Sequence, residues 1–174
     1  MVFPNLSGVG IPRPYRDVHE RKNPMLRRYG EPVIAGIRYR PRPGVYAVLP
    51  RNGRLLLTFQ AEPDFEFQCP GGGIDPGESP LQGLHREVYE ETGWRIARPR
   101  RLGAFRRFAY MPEYDRWAEK IAHLYIARPV RALGPPVEEG HLALWLEPDE
   151  AIEMVANDGE RAALIALYRS GQLA

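Results

Sequence analysis

The chain holds a single cysteine, Cys69, among 174 residues. No internal disulfide can form, and a reducing, cytoplasmic compartment is the expected home. No uninterrupted apolar run reaches membrane-spanning length, and the start, MVFPNLSGVGIPRPYR, lacks the apolar stretch of a secretion signal. Contact with a membrane is therefore not expected. The four histidines, His19, His85, His123 and His141, show no zinc-ligand spacing. Charge of one sign is also missing in excess: the net charge is +2, too weak to argue for a coat on long nucleic acid. Lysine is nearly absent. Only Lys22 and Lys120 occur, so 22 of the 24 basic residues are arginine, whose planar fork suits phosphate and carboxylate. A chain-wide bias of this kind cannot single out a site.

What is present is ordinary for a globular domain: 44% apolar, 26% charged and 10% aromatic residues. Residues 1–30 are rich in Pro, Arg and Asn without a clear period and read as an irregular N-terminal arm, with one short helical stretch near Arg16–Lys22. Residues 31–174 read as one domain. Val33, Ala35 and Ile37 alternate with other residues, which predicts a strand over Val33–Arg40. Val45–Leu49 and Leu55–Phe59 flank Asn52-Gly53, the strongest short hairpin signal. A strand over Phe65–Cys69 breaks at Pro70-Gly71-Gly72-Gly73. A helix then starts with Ser79 as N-cap, Pro80 in the first position and Gln82 completing a capping box, and stops at Gly93. Two strands, Trp94–Tyr110 and Lys120–Val130, follow around an aromatic loop, Met111–Glu119. A short strand His141–Leu146 and helices over Pro148–Ala156 and Gly159–Ser170 close the chain. This mixture is α+β, with helices packed on a mostly antiparallel or mixed sheet.

The chemistry gathers between Gly72 and Trp94. At about 100° per residue, Leu81, Leu84 and Val88 form one helical stripe that should face the sheet, while Glu87, Glu90 and Glu91 share an adjoining arc. Glu87 and Glu91 are like charges four apart, which costs a bare helix about a few tenths of a kcal/mol; Arg86 can offset it by pairing with Glu90. Such a cluster of oxygens suits a hard dication, Mg2+ or Mn2+, which keeps waters for a phosphate to displace. An acidic helix face can equally be a solvated one. The glycine turn before it favours the metal, because backbone carbonyls can approach where a side chain would block them.

Gly72, five residues to Glu78, then seven to Arg86-Glu87-Val88-Tyr89-Glu90-Glu91-Thr92-Gly93-Trp94 resembles the signature of the Nudix hydrolases (MutT-like). One position departs: an aliphatic residue normally ends the signature, and here Trp94 does. The resemblance implies a Nudix-type α/β/α sandwich with a mixed sheet. It also implies metal-dependent hydrolysis of a phosphoanhydride in a nucleoside diphosphate linked to another group, such as a sugar nucleotide or a dinucleoside polyphosphate. By the same resemblance Glu87 and Glu91 are metal ligands with Glu90 a further ligand or partner, Gly71 offers a carbonyl, Glu78 joins the metal shell or its waters, and Arg86 orients the glutamates. The general base is Glu87 within the signature, or Glu138 or Glu139 just before the strand at His141, where relatives carry an accessory glutamate.

Weaker signals concern substrate. Tyr110, Tyr114 and Trp117 can stack on a nucleobase or simply pack the loop onto the sheet, and Arg54 can hold phosphate. A small nucleotide is the expected partner, with RNA 5′ ends the one nucleic-acid exception and a homodimer through the arm and the Val33–Arg40 strand conceivable. Two other readings use the same scaffold. One is a nucleotide-sensing or partner-binding module without turnover, which has no need of the intact glutamates. The other is an isomerase, for which Cys69 is the sole thiol.

Overall fold

The computed structural model describes residues 26–61 and 65–173. The arm's first 25 residues, with the expected helical stretch near Arg16–Lys22 and His19, lie outside the described residues. A five-stranded mixed sheet has the order β1-β7-β8-β2-β6. Its strands are β1 (Leu26–Arg28), β2 (Arg40–Val48), β6 (Gly71–Gly73), β7 (Trp94–Met111) and β8 (Arg116–Ala132). β2 lies parallel to β8 and antiparallel to β6. A second sheet pairs β4 (Arg54–Gln60) with β3 (Pro50–Arg51), β5 (Glu66–Gln68) and β9 (His141–Leu146). Among the described residues three α-helices accompany the sheets: α1 (Pro80–Thr92), α2 (Pro148–Met154) and α3 (Asp158–Arg169).

The period of two along β2 explains the layers. Val45 and Ala47 pack on one side with Leu84 and Val88 of α1, Ile96 and Tyr125. Val48 packs on the other side with Leu55 and Leu57, Ala151 and Val155, and Leu164 and Leu167 of α3. The sheet is thus held between helices, an α+β sandwich. Local signals set most element ends. Asn52 and Gly53 adopt φ of 52° and 76°, as the tight turn between β3 and β4 requires. Gly93 closes α1 in the left-handed region at φ 72°. No helix among the described residues is long and apolar enough to cross a membrane.

Four expectations need correction. No strand forms over Val33–Arg40 before Arg40 itself. Gly36 takes φ 82° and Ile37 N–H donates to the Ile34 carbonyl across a turn, so Val33 and Ile34 stay 47% exposed and their alternation meets no partner strand. Residues 26–28, read within the arm, instead add β1 in parallel to β7. The aromatic loop is shorter than Met111–Glu119: a 3-10 turn at Pro112–Tyr114 and Asp115 at φ 44° reverse the chain, and Trp117 already pairs with Tyr110 across the hairpin. Leu81 is 46% exposed, so it leaves the stripe of Leu84 and Val88.

The two helical layers meet the glycine segment through a buried charge. Glu160, in the first turn of α3, is buried, and its Oε2 accepts the Cys69 backbone N–H at 2.7 Å. Its Oε1 finds no partner among the described residues. Burial pushes the carboxyl up to about 7 against the pull of the Cys69 N–H. A carboxylate raised on folding stabilises the protein below its unfolded value and loses that contribution as pH climbs toward 7, on the order of 3 kcal/mol in all. In chelator, the urea midpoint of the wild type should fall between pH 5 and pH 8, and Glu160→Gln should flatten that fall. Equal slopes in the two proteins would show that Glu160 does not titrate in this window.

Candidate metal centre

Helix α1 starts where its sequence says it should. Ser79 Oγ accepts the Gln82 N–H at 3.3 Å, and Gln82 Oε1 accepts the Ser79 N–H at 2.9 Å. With that start fixed, Glu87 and Glu91 turn inward with Leu84 and Val88, and both glutamates are buried. The adjoining arc is therefore interior where it faces β6.

Glycine makes the burial sterically possible. A Cβ on Gly72 would sit 2.6 Å from Glu87 Oε2, and one on Gly71 would overlap the Val45 carbonyl. Gly71, at φ 149°, donates its N–H to Glu91 Oε2 at 2.9 Å. The strand backbone thus lies directly on the two carboxylates.

Arg86 is the one cation woven through the cluster. Its guanidinium donates to Glu78 at 2.8 and 2.9 Å, to Glu87 at 2.8 Å, to Glu90 at 3.0 Å and to the Gly73 carbonyl at 2.9 Å. Its bond to Glu78 is the leading reason that Glu78 is held below, and Arg86 above, the usual range. Glu87 goes the other way: desolvation raises it despite Arg86, with Glu138 and Glu90 adding repulsion. Glu91 is raised well above the ordinary range, again chiefly by burial, against the Gly71 N–H. In both, the cost of burying a charged carboxylate outweighs the groups that favour the ionised form.

Two groups of side chains come close enough to hold a cation. Ligand atoms of Glu87, Glu90 and Glu138 lie within 4.8 Å of one another, as do those of Glu91, Glu138 and His141. Glu138 belongs to both because its loop is pinned to the end of α1. The N–H groups of Val137 and Glu138 donate to the Glu90 carbonyl at 2.7 and 3.0 Å, occupying a helix-end acceptor that has no partner within the helix. His141 is buried, with Nε2 3.5 Å from Glu91 Oε1 and Nδ1 3.2 Å from the Glu139 carbonyl. Hard carboxylate oxygens with one imidazole fit Mg2+ or Mn2+.

Not every expected residue joins the cluster. Glu139 meets His141 only through its backbone, and its carboxylate belongs to neither group. Arg54 pairs with Glu147 at 2.9 Å on the surface. Tyr110 and Trp117 pack on each other at 5.4 Å, and the Tyr110 hydroxyl donates to Asp115. Tyr114 stands apart from them, beneath the guanidinium groups of Arg42 and Arg116. Sequence reading missed His141 as a member, since it looked for zinc spacing; a histidine two residues after a Glu-Glu pair was the available signal. Cys69 is buried, and burial pushes its thiol well up, which leaves an isomerase without a ready nucleophile.

A family model described as "NUDIX domain" matches residues 38–167. The chain is 48% identical over 65 residues to an RNA pyrophosphohydrolase of Mesorhizobium japonicum, covering 33% of this chain and 37% of that one. It is 28% identical over 109 residues to a MutT-like protein of Streptomyces ambofaciens, covering 63% and 65%. The matches therefore span less than two thirds of these relatives' lengths. Among solved structures, a NUDIX hydrolase from Nitrosomonas europaea superposes with a TM-score of 0.61 at 22% identity, covering 76% of this chain and 90% of that one.

The close fit of backbone to carboxylate generates a prediction. Gly72→Ala should destabilise the fold by about 1–3 kcal/mol and weaken Mn2+ binding, read by thermal melting and calorimetric titration. Unchanged values for both would mean that the strand has room to spare.

Proposed function

The chain belongs to the Nudix family, and from that premise we propose that it hydrolyses a phosphoanhydride bond in a small nucleotide, or at an RNA 5′ end, with Mg2+ or Mn2+. The substrate class includes sugar nucleotides and dinucleoside polyphosphates, and relatives named RNA pyrophosphohydrolase support the expectation of RNA 5′ ends. One observation carries the reading: acidic side chains from α1 and from the loop before β9 converge beneath a strand made only of glycine.

In this proposal Glu87, Glu90 and Glu91 hold the dication, with Glu138, His141 and the Gly71 carbonyl beside them and Glu78 in the surrounding water network. The ion, when bound, offsets phosphate charge and makes water a better nucleophile. Arg86 keeps Glu78, Glu87 and Glu90 from splaying, through the five bonds already described. Glu138, exposed where Glu87, Glu91 and His141 are buried, takes a proton from the attacking water. The water oxygen then bonds to phosphorus, and the bridging P–O bond breaks. The electron pair leaves with the bridging oxygen on the departing phosphate group. Glu87, committed to Arg86 and raised by burial, is better suited to holding the cation than to relaying that proton.

Turnover of a nucleotide panel should require Mg2+ or Mn2+ and stop with EDTA. Glu87→Gln with Glu91→Gln should cut kcat by at least about 100-fold and remove cation uptake. If the double variant keeps both, the proposed centre is wrong. Glu138→Gln should lower kcat at saturating metal by about 10²–10⁴-fold, with Glu139→Gln close to wild type. The reverse order would assign the base to Glu139.

A further inference from the structure

On the other side of the glycine strand lies a second cluster, made of cations. Arg42, on β2, places its guanidinium 3.1 Å from where a Cβ on Gly73 would stand. It also lies 4.7 Å from the ring centre of Tyr114 and donates to the Tyr114 hydroxyl at 3.4 Å. Arg116, the first residue of β8, puts its guanidinium 4.8 Å from the centre of the same ring. Two positive groups thus share one exposed phenol. Among the described residues neither forms an ion pair, whereas Arg54, Arg106 and Arg161 each meet a carboxylate.

This cluster is one backbone residue from the acidic one. Gly72 covers Glu87, while the next residue, Gly73, takes Arg86 on its carbonyl and Arg42 beside the space a Cβ would fill. Because β6 is the edge of its sheet, an extended anion can pass from one cluster to the other around that edge. From this geometry we infer that Arg42 and Arg116, seated on Tyr114, form a subsite for a phosphate beyond those engaged at the acidic cluster. The site then selects substrates with three or more phosphates in a chain over two-phosphate sugar nucleotides.

The reasoning is one of charge. A two-phosphate substrate held at the acidic cluster would present a neutral sugar or base beyond its phosphates. Only a longer chain brings another anion to two guanidinium groups that form no ion pair among the described residues, and guanidinium groups bind phosphate oxygens through paired N–H donors. Tyr114 acts as a positioning residue. Its ring already carries the arginines and is not a free platform for a nucleobase.

The inference rests on the hydrolase reading, and two measurements separate their failures. The first is the ratio of kcat/KM for a three-phosphate nucleotide to that for a nucleoside diphosphate sugar. Arg42→Gln with Arg116→Gln should lower this ratio about tenfold or more, mainly through KM, as expected for loss of one charge-assisted bond. Tyr114→Leu should lower it in the same direction, with all variants checked for unchanged melting. If the wild type turns over both substrates and the ratio is the same in every variant, the subsite is wrong and the hydrolase stands. If Tyr114→Leu depresses both substrates equally, the ring serves a nucleobase and the subsite is again wrong. The second measurement is calorimetric titration of inorganic tripolyphosphate and pyrophosphate into metal-free protein. The wild type should bind tripolyphosphate more tightly, and the double arginine variant should lose that difference. Should the wild type turn over nothing, the hydrolase reading falls and this titration alone decides the subsite.

Discussion

Everything at the candidate centre depends on carboxylates pressed against a backbone with no side chains. Glu87 and Glu91 are four residues apart and both buried, an arrangement that electrostatics opposes twice, through like-charge repulsion and through desolvation. The glycines of β6 do not remove that cost. They let the backbone come close enough for the Gly71 N–H to bond Glu91 and for the Glu87 carboxylate to fit under Gly72. Arg86 offsets part of the charge, but one guanidinium faces Glu78, Glu87 and Glu90 together. The remainder is a deficit of positive charge concentrated at one end of the sheet. A stable fold gains nothing from such a deficit, which is why a dication belongs in the account of the site and not only of its reaction.

The same segment is gripped from the opposite layer. Glu160 of α3 accepts from the Cys69 N–H and Glu91 of α1 from the Gly71 N–H, two residues further on. Carboxylates from helices on opposite faces of the sheet therefore fix one short stretch of chain. Its neighbours are tied down as well. The Ala47 N–H bonds the Pro70 carbonyl and the Ile74 N–H bonds the Pro43 carbonyl, so β2 clamps the segment at both ends. This explains how a three-residue strand can be rigid enough to hold the buried carboxylates in place, when so short a strand has little stability of its own.

Which parts of this were legible in the sequence follows from the range of the forces involved. The capping box at Ser79 and Gln82, the stop at Gly93 and the Asn52-Gly53 turn are decided within a few residues, and the structure has them where the sequence places them. The Arg86–Glu90 pair is similarly local. The strand expected over Val33–Arg40 failed because alternation describes a surface and does not supply a partner; Gly36 turned the chain instead. The burial of Glu87 and Glu91 was hidden because a helical projection shows which residues share a face but not what lies on it. Glu138 entered only through the family resemblance, undivided from Glu139, and His141 not at all, since their place depends on β9 pairing with β4 in the second sheet and on the preceding loop folding back over α1.

That fold-back has a consequence for how the centre is assembled. The Leu133 N–H bonds the Gly93 carbonyl, and Val137 and Glu138 bond that of Glu90, so the loop completes the end of the same helix that carries the buried glutamates. Helix ends need such partners whatever the protein does. Here that need brings Glu138 to Glu87 and Glu90, with His141, at the start of β9, against Glu91. A single requirement of backbone hydrogen bonding therefore couples the integrity of α1 to the arrival of the only exposed carboxylate in either cation-holding group. Fraying of the last turn would withdraw Glu138, and Glu90 with it, from the centre while leaving the Arg86 bonds to Glu78 and Glu87 intact.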